Sequence, residues 1–209
     1  LVRAIADAGH EIASHGWGHE RVTHLSPVAF SADVSRAKRE LEDACGMPVV
    51  GYRAPSFSIT RENDWALDVL LDAGYRYDSS LMPVRRPGYG YAGGQPDAHW
   101  IGRESGRLFE LPPATLTVAG WRVPAGGGAY FRLFPPALVH AAFRSCERRG
   151  AAGTFYLHPW ELDPDQPRLD VPWWTRLRHY GGLEQADAKL DTLLDTFSFG
   201  PILASPELQ

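Results

Sequence analysis

The segment 14–20, Ser-His-Gly-Trp-Gly-His-Glu, carries two histidines at a spacing that suits a metal ion. His15 and His19 stand four positions apart in a glycine-rich stretch that directly follows a predicted short strand. Neutral imidazole nitrogens are good zinc ligands, and a two-histidine set leaves room for a carboxylate and an exchangeable water. Two surface histidines in a loop would show the same spacing. The position at the carboxyl end of a strand favours the metal site.

A second polar group, Arg53-Ala-Pro55-Ser56, follows the next predicted strand. A guanidinium there could orient a carboxylate through two parallel hydrogen bonds. Pro55 has no backbone N–H, but the Ser56 amide could donate to a developing oxyanion. A surface arginine followed by a turn proline explains the same residues, and this motif alone favours that plainer interpretation.

Two further side chains stand at the ends of predicted strands. Asp78 could cap a turn, which is its commonest role, or it could orient a histidine through a hydrogen bond that fixes the tautomer. His158 ends the apolar segment 154–157 and is followed by Pro-Trp160. An ordinary histidine pKa of about 6.5 suits a general acid near neutral pH, although a histidine satisfied within the core would also fit. Four such groups at strand ends favour a common function.

Composition narrows the classes of protein. The 209 residues are 44% hydrophobic, which is typical of a folded domain, and the net charge of −4 gives no basic footprint for nucleic acid. The apolar runs are too short to cross a bilayer. Cys45 and Cys146 are too few for a disulfide framework or a thiolate zinc site. The cellular compartment and the oligomeric state stay open.

The predicted elements alternate between helix and strand up to residue 78, which favours an α/β fold with a parallel sheet or barrel. Such folds place their working residues at the carboxyl ends of the strands. Helices are predicted over 26–45, 65–73, 135–149 and 184–195; strands over 10–15, 49–52, 75–78, 108–111, 115–118, 121–123 and 154–157; a long loop over 83–107. Gly126–Gly128 is predicted to be a tight loop and not a phosphate cradle, because no Lys-Ser/Thr pair follows.

The chain starts within a predicted element. Residues 1–9 resemble the last turns of a helix that stops at Gly9, and no signal sequence precedes them. We therefore interpret the sequence as a fragment that lacks at least one strand and most of one helix.

These motifs together resemble the polysaccharide deacetylase (NodB homology) family. His15-x-x-x-His19, Arg53-x-Pro55, Asp78 and Leu157-His158 occur in that family's order and approximate spacing. The sequence around these motifs is similar to that of the subfamily linked to exosortase/PEP-CTERM exopolysaccharide loci. The segments are AGHEIASHGWGHERV, GYRAPSFSIT, GYRYDSSLMP, FYLHPWELDPDQPRL and RHYGGL.

The resemblance implies a distorted (β/α) barrel, here without its first strand or strands, in a single domain over 1–209 with a family-specific extension over 160–209. It implies a divalent metal, zinc above all, that is held by His15 and His19 and by an aspartate upstream of this chain. Arg53 would tether the base. The implied substrate is an N-acetylated oligo- or polysaccharide, and the implied source is bacterial, with a cytoplasmic or an envelope location.

The remaining roles are also carried over by motif. His158 would protonate the leaving amine and Asp78 would orient it. Ser56 would lend its amide to the oxyanion hole beside Pro55, and Leu157 would line the acetyl pocket. Aromatic rings could form a floor on which a sugar stacks: Trp17, Tyr91 and Trp160.

The sequence departs from the family pattern in three places. The family's first motif, an aspartate pair, is absent. Leu81-Met82 stands where a tryptophan is usual, and Gly16 replaces a serine or threonine. Because the base and one ligand are missing, we expect this chain alone to bind metal weakly and to turn over little substrate. Two alternatives stay open: an amidohydrolase on a small ureido or cyclic-amide substrate, and a catalytically dead glycan-binding module.

Overall fold

A computed structural model describes residues 1–86 and 88–209 of the chain. The chain folds into two compact units, one formed by residues 1–112 with 200–209 and the other by residues 113–199. The division reflects where contacts within the chain are dense, and it does not test the domain prediction. A single domain over 1–209 with an extension over 160–209 stays a prediction.

The first unit combines three helices with a four-stranded sheet. The helices are α1 (Val2–Asp7), α2 (Pro27–Cys45) and α3 (Ala66–Asp72), and the strands are β1 (Gly51–Tyr52), β2 (Tyr77–Asp78), β3 (His99–Arg103) and β4 (Gly106–Glu110). The strand order is β1-β2-β4-β3; β1, β2 and β4 run parallel, and β3 is antiparallel to β4. The predicted α/β class with a parallel sheet is confirmed.

Local sequence explains where the longest helix begins and ends. Ser26 is the N-cap of α2, its Oγ accepts a hydrogen bond from the Ala29 amide at 3.2 Å, and Pro27 occupies the first helical position. Gly46 closes the helix in the left-handed conformation that glycine adopts without strain. Helix α2 lies over 27–45, as its pattern predicts.

Two predictions for this unit are wrong. Residues 10–15 form no continuous strand; only Ser14 pairs, in an isolated parallel bridge with Tyr52. The predicted loop over 83–107 contains the hairpin partner β3 and the start of β4. Strand β3 was missed because its sequence, His-Trp-Ile-Gly-Arg, shows no clear alternation of polar and apolar residue types. The same predicted loop includes Pro87, which lies outside the described residues.

A buried apolar cluster lies between the sheet and helices α2 and α3. Phe30 and Val34 from α2 and Leu67 and Leu70 from α3 are fully buried within it. Tyr52, at the end of β1, packs edge-on against Phe30 with ring centroids 5.7 Å apart. The core therefore fixes the carboxyl end of β1, where the first two motifs lie.

Replacing Gly51 with alanine should destabilise the first unit. An alanine Cβ at this position would lie 1.9 Å from Cζ of the Tyr77 ring on β2, and the Tyr77 hydroxyl is anchored by Glu11. Overpacking of this kind costs about 1–3 kcal/mol in the free energy of unfolding. Urea unfolding measures it, with Gly102→Ala as control, since a Cβ at Gly102 has no atom within 4 Å. Equal stability of the two variants would contradict the prediction.

The second unit contains a two-stranded antiparallel sheet and four helices. Its strands are β5 (Thr115–Val118) and β6 (Trp121–Pro124), and its helices are α4 (Gly128–Leu133), α5 (Pro136–Arg148), α6 (Trp173–Tyr180) and α7 (Ala186–Thr196). A core that includes Phe131, Val139, Phe143 and Leu193 holds the unit together. Strands β5 and β6 and helices α5 and α7 confirm the predictions to within a few residues.

The predicted buried strand over 154–157 is wrong. Thr154 and Tyr156 make only isolated bridges, with Pro113 and Gly127 respectively. The Gly126–Gly128 segment lies against this stretch, and a Cβ at Gly127 would be 1.9 Å from the Tyr156 carbonyl oxygen. The glycines therefore permit close approach of two backbones, and Gly128 begins α4, which the sequence did not predict.

Helix α6 was also missed, because most of its large apolar residues do not lie on a buried face: Trp173, Trp174 and Leu177 are exposed. Cys45 and Cys146 are both buried thiols. Over residues 1–86 and 88–209, the helices are too short or too polar to span a membrane.

Candidate active site

The two histidines of the first motif face one another. The ring centroids of His15 and His19 lie 5.1 Å apart at an interplanar angle of 68°, and both side chains are exposed. Ser14 anchors this segment to β1: its amide donates to the Gly51 carbonyl at 2.8 Å, and its carbonyl accepts from the Arg53 amide at 3.0 Å. His15 thus leaves the sheet edge at the carboxyl end of β1.

The His15 ring is oriented by main chain. Its Nδ1 lies 2.6 Å from the carbonyl oxygen of Arg53. A proton on Nδ1 donates to that carbonyl and leaves Nε2 with its lone pair outward, which is the form in which imidazole binds a metal.

Asp33, on α2, holds the loop between the two histidines. Its carboxylate accepts hydrogen bonds from the amides of Trp17, at 2.9 Å, and Gly18, at 2.7 Å. Gly16 has φ +79°, and a Cβ there would lie 2.8 Å from Asp33 Oδ2. The glycine that departs from the family pattern is therefore required both by the backbone conformation and by the approach of Asp33.

Arg53 is half-buried at the end of β1, and its side chain contacts the end of β2. Its Nε donates to the Ser79 carbonyl at 3.0 Å, and Nη2 donates to Ser79 Oγ at 2.7 Å. The guanidinium plane is thereby fixed at the sheet edge where His15 leaves it. Tethering of a catalytic base by Arg53 stays a prediction.

The turn after Arg53 is strained. Ser56 and Phe57 are consecutive non-glycine residues with φ of +58° and +52°. Such conformations cost of order 1–3 kcal/mol each and are concentrated at functional sites. Ser56 is exposed, whereas Pro55 is buried, so the ring of Pro55 is not open to a substrate. Pro55 shapes the turn, and its assignment with Ser56 to the substrate-binding residues stays a prediction.

Asp78 and Glu110 form a buried carboxyl pair. They are direct partners in the parallel register of β2 and β4, and both are fully buried. Asp78 Oδ1 accepts from Ser80 Oγ at 2.5 Å, and Glu110 Oε1 accepts from the Leu81 amide at 2.9 Å. Among the described residues, no hydrogen-bonding partner satisfies Glu110 Oε2.

Ionisation of both of two adjacent buried carboxyl groups is unfavourable, because their negative charges repel each other in a medium of low dielectric constant. Burial raises the pKa of Asp78 to about 6, and burial together with the charge of Asp78 raises the pKa of Glu110 well above its usual range. The pair therefore shares a proton near neutral pH. The role of Asp78 in orienting His158 involves the other unit and stays a prediction.

Glu110→Gln should therefore change the pH dependence of stability. A folded-state pKa above the unfolded value means that the folded protein binds more protons, so this pair makes the free energy of unfolding fall as pH rises. The introduced side-chain amide can replace the protonated carboxyl without titrating. Relative to wild type, the variant should gain stability progressively in urea unfolding as the pH is raised above about 4.5, the usual glutamate pKa. A wild-type-minus-variant difference that is constant with pH would contradict shared protonation.

His158, in the second unit, is paired with Glu161. The His158 amide donates to Glu161 Oε2 at 3.0 Å, and Nδ1 of the same ring lies 3.1 Å from that oxygen. Glu161 Oε1 accepts from Arg132 Nε at 2.7 Å, and both of these side chains are buried. His158 is half exposed. A buried, charge-balanced carboxylate thus faces a histidine that solvent can reach.

The predicted sugar-stacking residues lie in different surroundings. Trp160 stacks against His158, with ring centroids 5.5 Å apart, and Trp17 is exposed with Arg36 above its ring. Tyr91 is buried in the apolar cluster of the first unit, so its proposed part in a stacking floor is wrong. Leu157 is partly buried against the core of the second unit, and its contact with an acetyl group stays a prediction.

The donor set fits a divalent metal in part. His15 and His19 supply two neutral nitrogens, and the Arg53 carbonyl favours the ligating form of His15. Within residues 1–86 and 88–209, no cluster of three or more histidine, cysteine or acidic side chains could enclose a metal ion. A complete site therefore needs a further ligand, such as a carboxylate or water.

Sequence reasoning missed four residues of this region: Asp33, Glu110, Arg132 and Glu161. Glu161 had a local signal, because His-Pro-Trp-Glu places proline first and glutamate third after the cap, as in a capping box. Glu110 is an acidic residue in an otherwise apolar strand end. Asp33 and Arg132 act across 15 or more positions and have no local signal.

Comparisons with known families divide the chain close to residue 78. The model described as polysaccharide deacetylase matches residues 1–77, and the model described as domain of unknown function (DUF3473) matches residues 79–205. The first match includes both histidines and Arg53. The second includes Glu110, Arg132, His158 and Glu161.

Curated relatives match a part of the chain. A peptidoglycan deacetylase of Helicobacter pylori is 36% identical over 86 residues, which cover 39% of this chain and 27% of the relative. A peptidoglycan deacetylase-like protein of Gibberella zeae is 35% identical over 79 residues, which cover 38% of this chain and 22% of the relative. The chain thus spans about a quarter of the length of these relatives.

A solved structure supports the fold. The crystal structure of a putative polysaccharide deacetylase from Mycobacterium smegmatis superposes with a TM-score of 0.50 at 22% identity, covering 99% of this chain and 71% of that one. The fold predicted from the sequence, an α/β fold of the NodB deacetylase type, is confirmed.

Proposed function

We propose that the complete protein is a metal-dependent hydrolase. The chain belongs to the polysaccharide deacetylase family, whose model matches residues 1–77, and it carries a DUF3473-family segment over 79–205. The complete protein removes N-acetyl groups from an N-acetylated polysaccharide, which is an exopolysaccharide, a chitin-like polymer or the glycan of peptidoglycan. Zinc is the proposed metal.

The observation that carries this proposal is the His15–His19 pair at the end of β1. The two rings face each other, the Arg53 carbonyl supports the ligating form of His15, and Asp33 fixes the intervening loop. When bound there, a divalent metal supplies a Lewis acid for the acetamide carbonyl and lowers the pKa of a water molecule.

The chain's own side chains account for the other parts of the reaction. Arg53, held by Ser79, orients a carboxylate base that the complete protein provides. Ser56 is exposed, and its amide donates to the oxyanion as the carbonyl carbon becomes tetrahedral; one well-aimed donor of this kind contributes about 3 kcal/mol. His158 donates its proton to the leaving nitrogen, and acetate and the free amine are the products.

The test measures zinc binding and acetate release with the complete protein. His15→Ala should weaken zinc binding by at least about 100-fold in calorimetry, since it removes a ligand, and should abolish acetate release from N-acetylglucosamine oligosaccharides. His24→Ala is the matched control, because His24 is an exposed histidine of the same unit.

Substrate choice separates the competing functions. Release of acetate from polysaccharide, and none of ammonia from ureido or cyclic-amide compounds, supports the deacetylase. The reverse pattern identifies a small-amide hydrolase. Binding of oligosaccharide by the complete protein without acetate release identifies a glycan-binding module, and unchanged zinc affinity in His15→Ala refutes the assigned metal ligands.

A further inference from the structure

We infer that Glu161, locked in place by Arg132, is the positioning residue that orients His158 as a general acid. This inference rests on the proposed function, because it assigns a partner to the proton donor of that reaction. The proposed reaction gives no role to the motif RHYGGL, residues 178–183. In this inference the motif supports Arg132 and Trp160.

The first argument is the geometry of the turn at 158–162. His158 is the N-cap of the turn Pro159–Leu162, and Glu161 reaches back to it. One carboxylate oxygen, Oε2, lies within hydrogen-bond distance of both the His158 amide and its ring Nδ1. The amide contact fixes where that oxygen lies, and the ring contact then fixes which way the imidazole faces.

The second argument is that Glu161 cannot turn away. It is 0% exposed, and Arg132, which is 1% exposed, binds its other oxygen. The remaining guanidinium contacts of Arg132 go to the carbonyl oxygens of Arg178 and Gly181. Burial alone would raise the pKa of Glu161, but the hydrogen bonds from His158 and Arg132 outweigh it and hold the pKa below its usual value. Glu161 is therefore an ionised acceptor at neutral pH.

The third argument is the aromatic stack beside the ring. Trp160 lies parallel to His158, at 5.5 Å and 26°, and its indole also stacks on His179, at 4.4 Å and 18°. The segment 178–183 thus supplies two carbonyls that hold Arg132 and a ring that supports Trp160. Together these contacts restrict the rotation of His158 on two sides.

The chemistry follows from the two ring nitrogens. With Nδ1–H donating to Glu161, Nε2 is the nitrogen that can give a proton to a substrate. As the C–N bond breaks, its electron pair goes to nitrogen; the Nε2–H bond breaks, its electron pair stays on the ring, and a new N–H bond forms on the leaving amine. Glu161 stabilises the charged ring beforehand and the correct neutral tautomer afterwards.

The assignment competes with Asp78, to which the family resemblance gives the orienting role. Within the first unit, the Asp78 carboxylate accepts from Ser80 and adjoins Glu110. The two hypotheses differ in which carboxylate, when made neutral, changes the tautomer of His158.

The experiment is ¹⁵N NMR of the histidine rings in the complete protein, combined with steady-state kinetics. We expect the neutral His158 ring of the wild type to carry its proton on Nδ1. Glu161→Gln should shift that population toward Nε2–H and lower kcat about 100-fold with little change in KM. Asp78→Asn should leave the tautomer unchanged, and Glu184→Gln, at an exposed glutamate of the same unit, is the matched control.

The outcomes separate this inference from the proposed function. An Nε2–H tautomer of His158 in the wild-type protein overturns the inference. This test needs no variant, so the inference can be refuted even if the Glu161→Gln protein fails to fold. The inference is also overturned if Glu161→Gln leaves both the His158 tautomer and kcat unchanged in an enzyme whose activity requires His158. That result leaves the deacetylase assignment intact. An Nδ1–H ring in a wild-type protein without deacetylase activity supports the positioning by Glu161 and refutes the proposed function.

Discussion

Replacing His158 with alanine should lower kcat for acetate release by the complete protein about 10²- to 10⁴-fold, the usual contribution of a general acid. An amine anion is a poor leaving group, so breakdown of the tetrahedral intermediate depends on proton delivery to nitrogen. The His158 side chain is half exposed while its orienting carboxylate is buried, so a substrate can reach the ring. KM should change little, because the proton transfer belongs to the transition state.

Two controls make this prediction specific. His158→Ala should bind zinc as tightly as the wild type, since the metal is assigned to His15 and His19 of the other unit. His24→Ala, at an exposed histidine, should keep full activity. A kcat within about threefold of wild type in His158→Ala would show that another group, or water, protonates the leaving nitrogen.

Replacing Arg132 with methionine should destabilise the second unit by about 3–5 kcal/mol, because it leaves the buried Glu161 carboxylate without its countercharge. Arg132 also donates to the carbonyl oxygens of residues 178 and 181, which lose these partners in the variant. Urea unfolding followed by tryptophan fluorescence measures the loss. Arg144→Met, at an exposed arginine of α5, is the matched control and should stay within about 0.5 kcal/mol of wild type.

The pH dependence of this loss has a definite sign. A folded-state pKa of Glu161 held below its usual value contributes stability above that usual value, and the contribution is lost as pH falls through the folded pKa. The gap between wild type and Arg132→Met should therefore shrink on acidification below about pH 4.5. The double variant Arg132→Met with Glu161→Gln should recover part of the loss, because it removes the orphaned charge. If the difference in unfolding free energy between wild type and Arg132→Met does not narrow at low pH, the loss arises more from lost packing than from the unpaired charge.

The residues that the sequence predicted well are those whose signal is local. Ser26, Pro27 and Gly46 mark the ends of α2 within a few positions of where they act. The spacing of His15 and His19 brings their rings together because Gly16 allows the chain to turn between them. Such features depend on neighbouring residues and can be read before any tertiary contact is known.

The features that escaped prediction depend on tertiary contacts. The stretch 10–15 has a strand-like composition, but only one of its residues pairs with β1. Glu110 and Asp78 become neighbours only when β2 and β4 align, and Arg132 meets Glu161 across 29 positions. Trp173 and Trp174 are exposed on α6, so apolar periodicity did not reveal that helix.

The contact between His15 and Arg53 has an evolutionary consequence. His15 is oriented by the peptide carbonyl of residue 53, whereas the guanidinium of the same residue binds Ser79. Substitutions at position 53 therefore change the side chain that binds Ser79 while the carbonyl continues to orient the histidine. Under the proposed function, one codon change at this position would remove the guanidinium and leave the orientation of the His15 ring intact.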